Sequence, residues 1–438
     1  MRNGLCLILI LSGVSWASPP PWSGQTDYRV RLETRLQGDR WRGFRRDPID
    51  RSELRQRLHL DAYGLVQTDA VRLDLFLDTE VGSDLGPTPN ELTVVGRERV
   101  VLDLYGAELV GRAGGLTARL GRHVLLDVLG FDALDGLSLH ADVATWLAVE
   151  ATAGLASRRG WSGFGPDSYA IDGLSSTSSA ATVLGLGVTL TPTDWVELST
   201  SWRRREGVEL QQDTVGSAVH LALWDGLDLN GGARLDLMRL EWSELWSDLN
   251  FRVGRWESLL GWRRSRPVFD ADSIWWAFGP EAHQAYLAGM GVEFGSWRLK
   301  TRGEIRRFVD GADAVDWAQG LDAGLSRSFG HRGAEMGLHG RWGAGFGGAR
   351  HYADLFGRFP WFWRVGDAPV WLRWRLGAVY FDDVDRNDRD GVSGWGLLSA
   401  RWAASQGVAL ETLVEGHVNG HDPYRLRVMT QLTAESWW

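Results

Sequence analysis

Guanidinium groups recur at every second position in several short runs of this chain. Arg29, Arg31 and Arg35 stand in "DYRVRLETRLQ", Arg55 and Arg57 in "ELRQRLHLDAY", and Arg298, Arg302 and Arg306 in "WRLKTRGEIRR". Arg373 and Arg375 stand in "VWLRWRLGAVY", and Arg425 and Arg427 in "YRLRVMTQL". A guanidinium presents a planar fork of donors that matches carboxylate and phosphate, so a surface carrying such rows suits an anion path. The same rows suit a scaffold in which carboxylates on neighbouring strands hold each arginine. Asp74, Asp78, Asp103, Glu411 and Glu415 are available as partners, and both uses stay open at this point.

The spacing itself dictates the elements that carry these groups. A period of two means extended strands with two unlike faces. In the first run Tyr28, Val30, Leu32, Thr34 and Leu36 lie opposite the arginines. "AVRLDLFLDTE" and "WVELSTSWR" repeat the pattern, with Val71, Leu73, Leu75 and Leu77 opposite Arg72, Asp74 and Asp78, and Val196, Leu198 and Trp202 opposite Glu197 and Arg203. In a soluble sandwich the apolar face is the core; in a membrane barrel it meets lipid, and the charges line a wet lumen. The charged faces and the many glycines within strand patterns (Gly185 and Gly187, Gly289 and Gly291, Gly343 and Gly345) favour the inverted arrangement, since such strands pack a dry core poorly but sit harmlessly against fluid lipid.

The chain has 438 residues, 55 Gly, 25 Trp, one lysine (Lys300) and one cysteine (Cys6). Its first residues read as an export signal: Arg2, the apolar run "LCLILIL", and Ser15-Trp16-Ala17 as a small-x-small cleavage site. The expected organisation is a signal peptide over 1–17 and one barrel domain over 18–438. Removing Arg2, the one charged residue of 1–17, takes the formal charge from −9 to −10, which argues against a general affinity for nucleic acid. No later stretch approaches the ~18 apolar residues of a transmembrane helix.

The patterned runs have the length that a tilted strand needs to cross the hydrocarbon layer. Short connectors such as "TPTD", "WDG" and "SQG" alternate with long ones such as 156–179, 265–282 and 382–394. That rhythm predicts an all-β, transmembrane, antiparallel up-and-down barrel of about 18–22 strands, an even number, with both ends periplasmic. Tryptophans beside turns, notably Trp195, Trp224, Trp256, Trp297 and the terminal Trp438, fit an aromatic girdle at the bilayer interfaces.

The stretch "LTARLGRHVLLDVLGFDALDGLSLHAD" adds a family likeness. A strand ending in Leu120-Gly121-Arg122-His123, a loop, then Phe131-Asp132 and Asp135-Gly136-Leu137 opening the next strand, resembles outer-membrane porins and alginate-export-type barrels, with His123 where those families carry Gln. The alternating last strand ending in Trp438 is similar to a barrel-assembly signal. The resemblance implies a channel or exporter fold and identifies no substrate. Taken with the arginine rows, the expected function is a Gram-negative outer-membrane channel or exporter for anionic solutes or an exported polysaccharide, with outer-membrane lipids, the barrel-assembly machinery and periplasmic export or envelope-complex proteins as expected partners. The alternative is a non-conducting barrel anchoring an envelope complex for secretion, motility or electron conduction.

Other chemistry finds little support. The histidines are scattered, and neither HExxH nor GxSxG occurs, so no enzyme and no cofactor are expected. "DDVDRNDRDG" (382–391) gathers carboxylates before a glycine, but Arg389 breaks the calcium-loop spacing, and a solvated acidic loop is the better reading.

Overall fold

The computed structural model describes residues 27–42, 49–85, 100–156, 181–207, 211–266, 282–308, 317–330, 333–345, 348–365, 368–382, 391–405, 407–419 and 424–437. They form strands β1 (Asp27–Arg42), β2 (Ile49–Gln67), β3 (Arg72–Asp84), β4 (Val100–Ala113), β5 (Leu116–Asp127), β6 (Gly130–Ala144) and β7 (Leu147–Ala156). Next come β8 (Thr182–Thr193), β9 (Val196–Glu206), β10 (Gln211–Trp224), β11 (Leu227–Asp236), β12 (Glu241–Val253), β13 (Trp256–Ser265), β14 (His283–Phe294) and β15 (Trp297–Phe308). The last are β16 (Trp317–Phe329), β17 (Ala334–Gly345), β18 (Gly348–Val365), β19 (Ala368–Asp382), β20 (Gly391–Ala403), β21 (Val408–Val418) and β22 (Tyr424–Trp437).

Each strand pairs antiparallel with its sequence neighbour, and β1 also pairs with β22 from Arg29↔Trp437 to Arg42↔Tyr424. The sheet is thus a closed barrel of 22 strands with no free edge. Short turns such as 254–255 and 295–296 share one end with the start of β1 and the end of β22; the long connectors lie at the other. With strands ~4.8 Å apart and tilted ~40°, a circular section would be roughly 44 Å across the backbone, too wide for side chains to fill.

Which face is inner follows from contacts between strands that are not neighbours. Asp132 on β6 pairs with Arg203 and Arg205 on β9, three strands away, and Arg234 on β11 donates to the carbonyl of Val128 in the β5–β6 turn. Such chords exist only on the concave side of a closed sheet. Directly opposed residues share a face, so the register carries this inner face round the wall, from Arg203 through Thr214, Asp236 and Glu244 to Arg302, Asp354, Arg427 and Arg57. The opposite face holds Leu184, Leu186, Val188, Leu260, Met290, Leu338, Leu376, Leu398 and Leu432, all exposed. Apolar outside and charged inside is the inverted order expected from the sequence.

The strand glycines stand differently from expectation. Gly185 is opposite Arg203, Gly187 opposite Ser201, Gly289 opposite Arg302 and Gly291 opposite Lys300, which puts them on the inner face and away from lipid. A Cβ there would meet the strand on the other side: at Gly185 it would sit 2.5 Å from the Thr152 hydroxyl, and at Gly187 it would touch Glu150.

Candidate functional site: the inner wall and its folded-in hairpin

All of the arginines singled out by spacing stand on the inner face, and the register divides them into two kinds. Arg29 spans the closure of the barrel, 3.1 Å from Glu435 and 3.7 Å from Asp61. Arg31 pairs with Glu33, and Arg55 lies between Glu53 (3.2 Å) and Glu80 (3.0 Å). Arg57 forks onto Asp78 at 2.8 and 2.5 Å. Arg425 and Arg427 converge on Asp39 at 3.7 and 2.9 Å, and Arg427 also reaches Glu415 at 3.3 Å. Arg375 binds the buried Asp354 through two donors, each at 2.9 Å. Arg298 pairs with Glu293 and Arg306 with Glu304. These arginines are clamped.

Arg35, Arg302 and Arg373 are not. Together with Lys300, Arg341 and Arg401 on the same face, they have no hydrogen bond or ion pair among the described residues. Lys300 and Arg302 on β15 and Arg341 on β17 flank β16, where Asp322 is the carboxylate opposite both Arg302 and Arg341, yet it is His339 that Asp322 engages at 2.9 Å. The set therefore divides: some arginines pair with carboxylates of the wall, and others stand on the inner face without a partner among the described residues.

The most distinctive element is the β5–β6 hairpin. The sequence suggested a strand ending near His123 and a loop before Phe131; instead β5 runs on to Asp127, and Val128 and Leu129 alone make the turn. Pairing of β5 with β4 stops at Arg122, and pairing of β6 with β7 starts at Leu134, so the residues between make strand-ladder pairings only with one another. The hairpin leaves the wall along a row of three opposed glycines, Gly121, Gly136 and Gly154. Gly121 has φ +116°, a conformation L side chains avoid, and a methyl on it would overlap the carbonyl oxygen of Ala107. A methyl on Gly136 would likewise meet the carbonyl of Ala153. Just past this row Arg122, buried, forks onto Asp135 at 2.6 Å through two donors and gives a third to the carbonyl of Leu104 at 2.9 Å. Beside it His123 bonds Ser138 at 2.6 Å. The loop expectation failed because a glycine pair inside strands marks a bend as readily as an end.

From that row the hairpin crosses the inner face of β7 and β8. Leu125 and Leu134 close over Ala156, Ala181 and Val183, forming a buried apolar cluster on the inner face. The tip docks through charge: Arg203 meets Asp127 at 2.8 Å and Asp132 at 3.3 Å, and Arg205 meets Asp132 at 2.5 Å. Arg234 donates to the Val128 carbonyl at 2.8 Å while pairing with Glu244 at 2.8 Å. Between tip and wall lies a polar recess of about 330 Å³, lined by Phe131, Arg203, Arg205, Thr214, Arg234, Asp236, Glu244 and Arg266. The buried Thr214 hydroxyl has no hydrogen-bond partner there. Sequence spacing pointed to Arg203 as one strand residue among many, and it missed Asp127, Asp132, Arg205 and Arg234 as a group; the one available signal was the Gly-Arg-His to Asp-Gly stretch.

Trp195, Trp224, Trp256 and Trp297 all stand exposed at the short-turn end, with Trp146 and Trp437 beside them. Trp438, the export-signal residues and most of the 382–391 acidic loop lie outside the described residues. Among the described residues no three His, Cys, Asp or Glu side chains gather as a metal site.

The chain matches no protein-family model and no curated protein. It is similar to solved outer-membrane structures. With Acinetobacter baumannii OccAB4 it shares 9% identity at a TM-score of 0.44, over 96% of this chain and 100% of that one. With Pseudomonas aeruginosa OpdK crystallised with vanillate the values are 9% and 0.45, over 94% and 99%. With a BenF-like porin from Pseudomonas fluorescens they are 9% and 0.47, over 94% and 99%.

Proposed function

We propose that this barrel is an outer-membrane channel for small anionic solutes. The observation that carries the reading is the group of inner-face cations without carboxylate partners, Arg35, Lys300, Arg302, Arg341, Arg373 and Arg401, in a lumen too wide for side chains to close. Bare guanidinium in water exchanges one anion for the next, whereas a clamped one holds its protein carboxylate. The clamped arginines stiffen the wall, and the docked hairpin narrows the path beside β7–β11, which suits small solutes better than a passing polysaccharide chain. Residues 1–17 act as the cleaved export signal, the Leu- and Val-bearing face meets lipid, the exposed tryptophans at the short-turn end sit at the periplasmic interface, and the barrel-assembly machinery inserts the chain.

Reversal potentials in planar bilayers under a salt gradient test this reading. A steady pore with chloride more permeant than potassium is expected. A cation-selective pore refutes the anion path. A barrel that stays silent without a partner points to the structural alternative, a scaffold for an envelope complex.

A further inference from the structure

We propose that the lipid-facing side of β13–β15, at the long-connector end, holds a phosphate of an outer-leaflet glycolipid between Arg264 and Arg307. Register puts the two arginines there. Arg264 on β13 is directly opposite Gln284 on β14, and Gln284 is directly opposite Arg307 on β15. The next row on this face is Trp262, Tyr286 and Ile305, which continues the exposed surface of Leu260 and Met290. Arg263 and Arg306, one position back, fall on the other face and pair with Glu244 and Glu304.

Height follows from counting along the strands. Arg307 lies ten positions along β15 from Trp297, and Arg264 eight along β13 from Trp256, both tryptophans being exposed at the short-turn end. At ~3.4 Å per residue and a tilt of ~40° these runs climb roughly 21–26 Å, about the height of the apolar band. The two guanidinium groups therefore stand at the far interface, level with lipid headgroups, while the Trp262–Tyr286–Ile305 row lies below them beside the acyl chains.

Nothing in the described wall neutralises this pair. Arg264 has no hydrogen bond or ion pair among the described residues, and Arg307 has only the ring of Trp317, 5.9 Å from its guanidinium carbon. That contact uses a face of the guanidinium plane and leaves its N–H edge open. Both arginines are exposed, and the residues directly opposed to them are Leu245, Gln284 and Trp317, with no carboxylate among them. Arg204, on the same face four strands away, is by contrast answered by Glu206 at 3.0 Å. Gln284 completes the clamp: the Tyr286 hydroxyl donates to its Oε1 at 3.4 Å, and its amide N–H groups stay without a partner among the described residues. Two strand spacings set the arginines ~10 Å apart, a gap in which one phosphate takes donors from both guanidinium groups and from the amide between them. Because the clamp faces lipid and not lumen, the anion it meets is a headgroup and not a passing solute. The inference rests on the long connectors facing outward, and it is independent of conduction.

Native mass spectrometry of the full chain in a non-ionic detergent tests it. The probe is bisphosphorylated lipid A, the control is the same lipid with its phosphates removed, and inorganic phosphate is the competitor. Retention of lipid A is expected, with far less of the dephosphorylated lipid and no displacement by millimolar phosphate. Arg264→Gln with Arg307→Gln lowers the affinity about 30-fold, at ~1 kcal/mol for each basic residue beside an anionic headgroup. Arg264→Lys with Arg307→Lys keeps most of it. Arg263→Gln with Arg306→Gln removes equal charge from the lumen side and leaves lipid binding unchanged. Heat-modifiable gel mobility checks that each variant is folded. Equal binding of the two lipids, displacement by inorganic phosphate, an equal loss in the lumen-side variant, or unchanged affinity in the folded Arg264→Gln, Arg307→Gln variant overturns the proposal.

Discussion

Replacing Asp132 by Asn probes the most specific feature of the lumen. Asp132 is 6% exposed and serves two guanidinium groups, Arg203 at 3.3 Å and Arg205 at 2.5 Å. In the variant Arg203 keeps Asp127, but Arg205 loses its carboxylate partner among the described residues. Removing one member of a fully buried pair costs about 3–5 kcal/mol; because Arg205 is partly open to the lumen, about 2–3 kcal/mol is the appropriate share. That moves the docked-to-released ratio of the hairpin tip by roughly 30- to 150-fold. The barrel itself is untouched, since the tip residues pair with no wall strand and the Leu125–Leu134 cluster and the Arg234–Val128 hydrogen bond remain. Single-channel recording in planar bilayers is the assay. Conductance and current noise rise as the tip visits the lumen, and the reversal potential shifts further towards chloride because Arg205 becomes a bare cation. If a variant with native heat-modifiable mobility shows unchanged conductance, noise and reversal potential, the hairpin does not govern the path and the reasoning fails.

The other predictions concern the wall. Changing Arg35, Arg302 and Arg373 together to Ser should lower the chloride-to-potassium permeability ratio several-fold, whereas Arg57→Ser with Arg427→Ser should mainly lower the temperature at which the folded gel band is lost; equal effects on the ratio would erase the distinction between bare and clamped arginines. Gly136→Val, which drives side-chain atoms into the Ala153 carbonyl, should reduce the yield of heat-modifiable barrel or displace the hairpin, detected as new protease cleavage near residues 127–130. Leu186, 58% exposed on the lipid face, should tolerate Ala, but Leu186→Arg should cost up to about 2–4 kcal/mol in refolding into lipid vesicles, less if it sits near an interface. Indifference to that charge would place the Leu face in the lumen and invert the account.

The sequence by itself determined the class of fold and the sorting of faces. Arg29, Arg57, Arg302 and Arg427 alternate with aliphatic residues at period two, and a strand has only two faces, so local spacing is enough to put them together on one side. The even strand number and the short-turn rhythm were legible for the same reason. What only the tertiary structure decided is who meets whom. That Arg57 is clamped and Arg302 is bare depends on cross-strand register, set by which turns and bulges close the sheet, and period two is blind to it. The hairpin docking joins Asp132 to Arg203 across 71 positions of sequence, and the closure joins Arg29 to Glu435 across 406. Gly121 and Gly136 were visible in the chain, but their meaning as a bend appeared only when register brought them opposite each other beside Gly154. A single sequence specifies side-chain direction locally; contact between distant strands is a property of the closed wall.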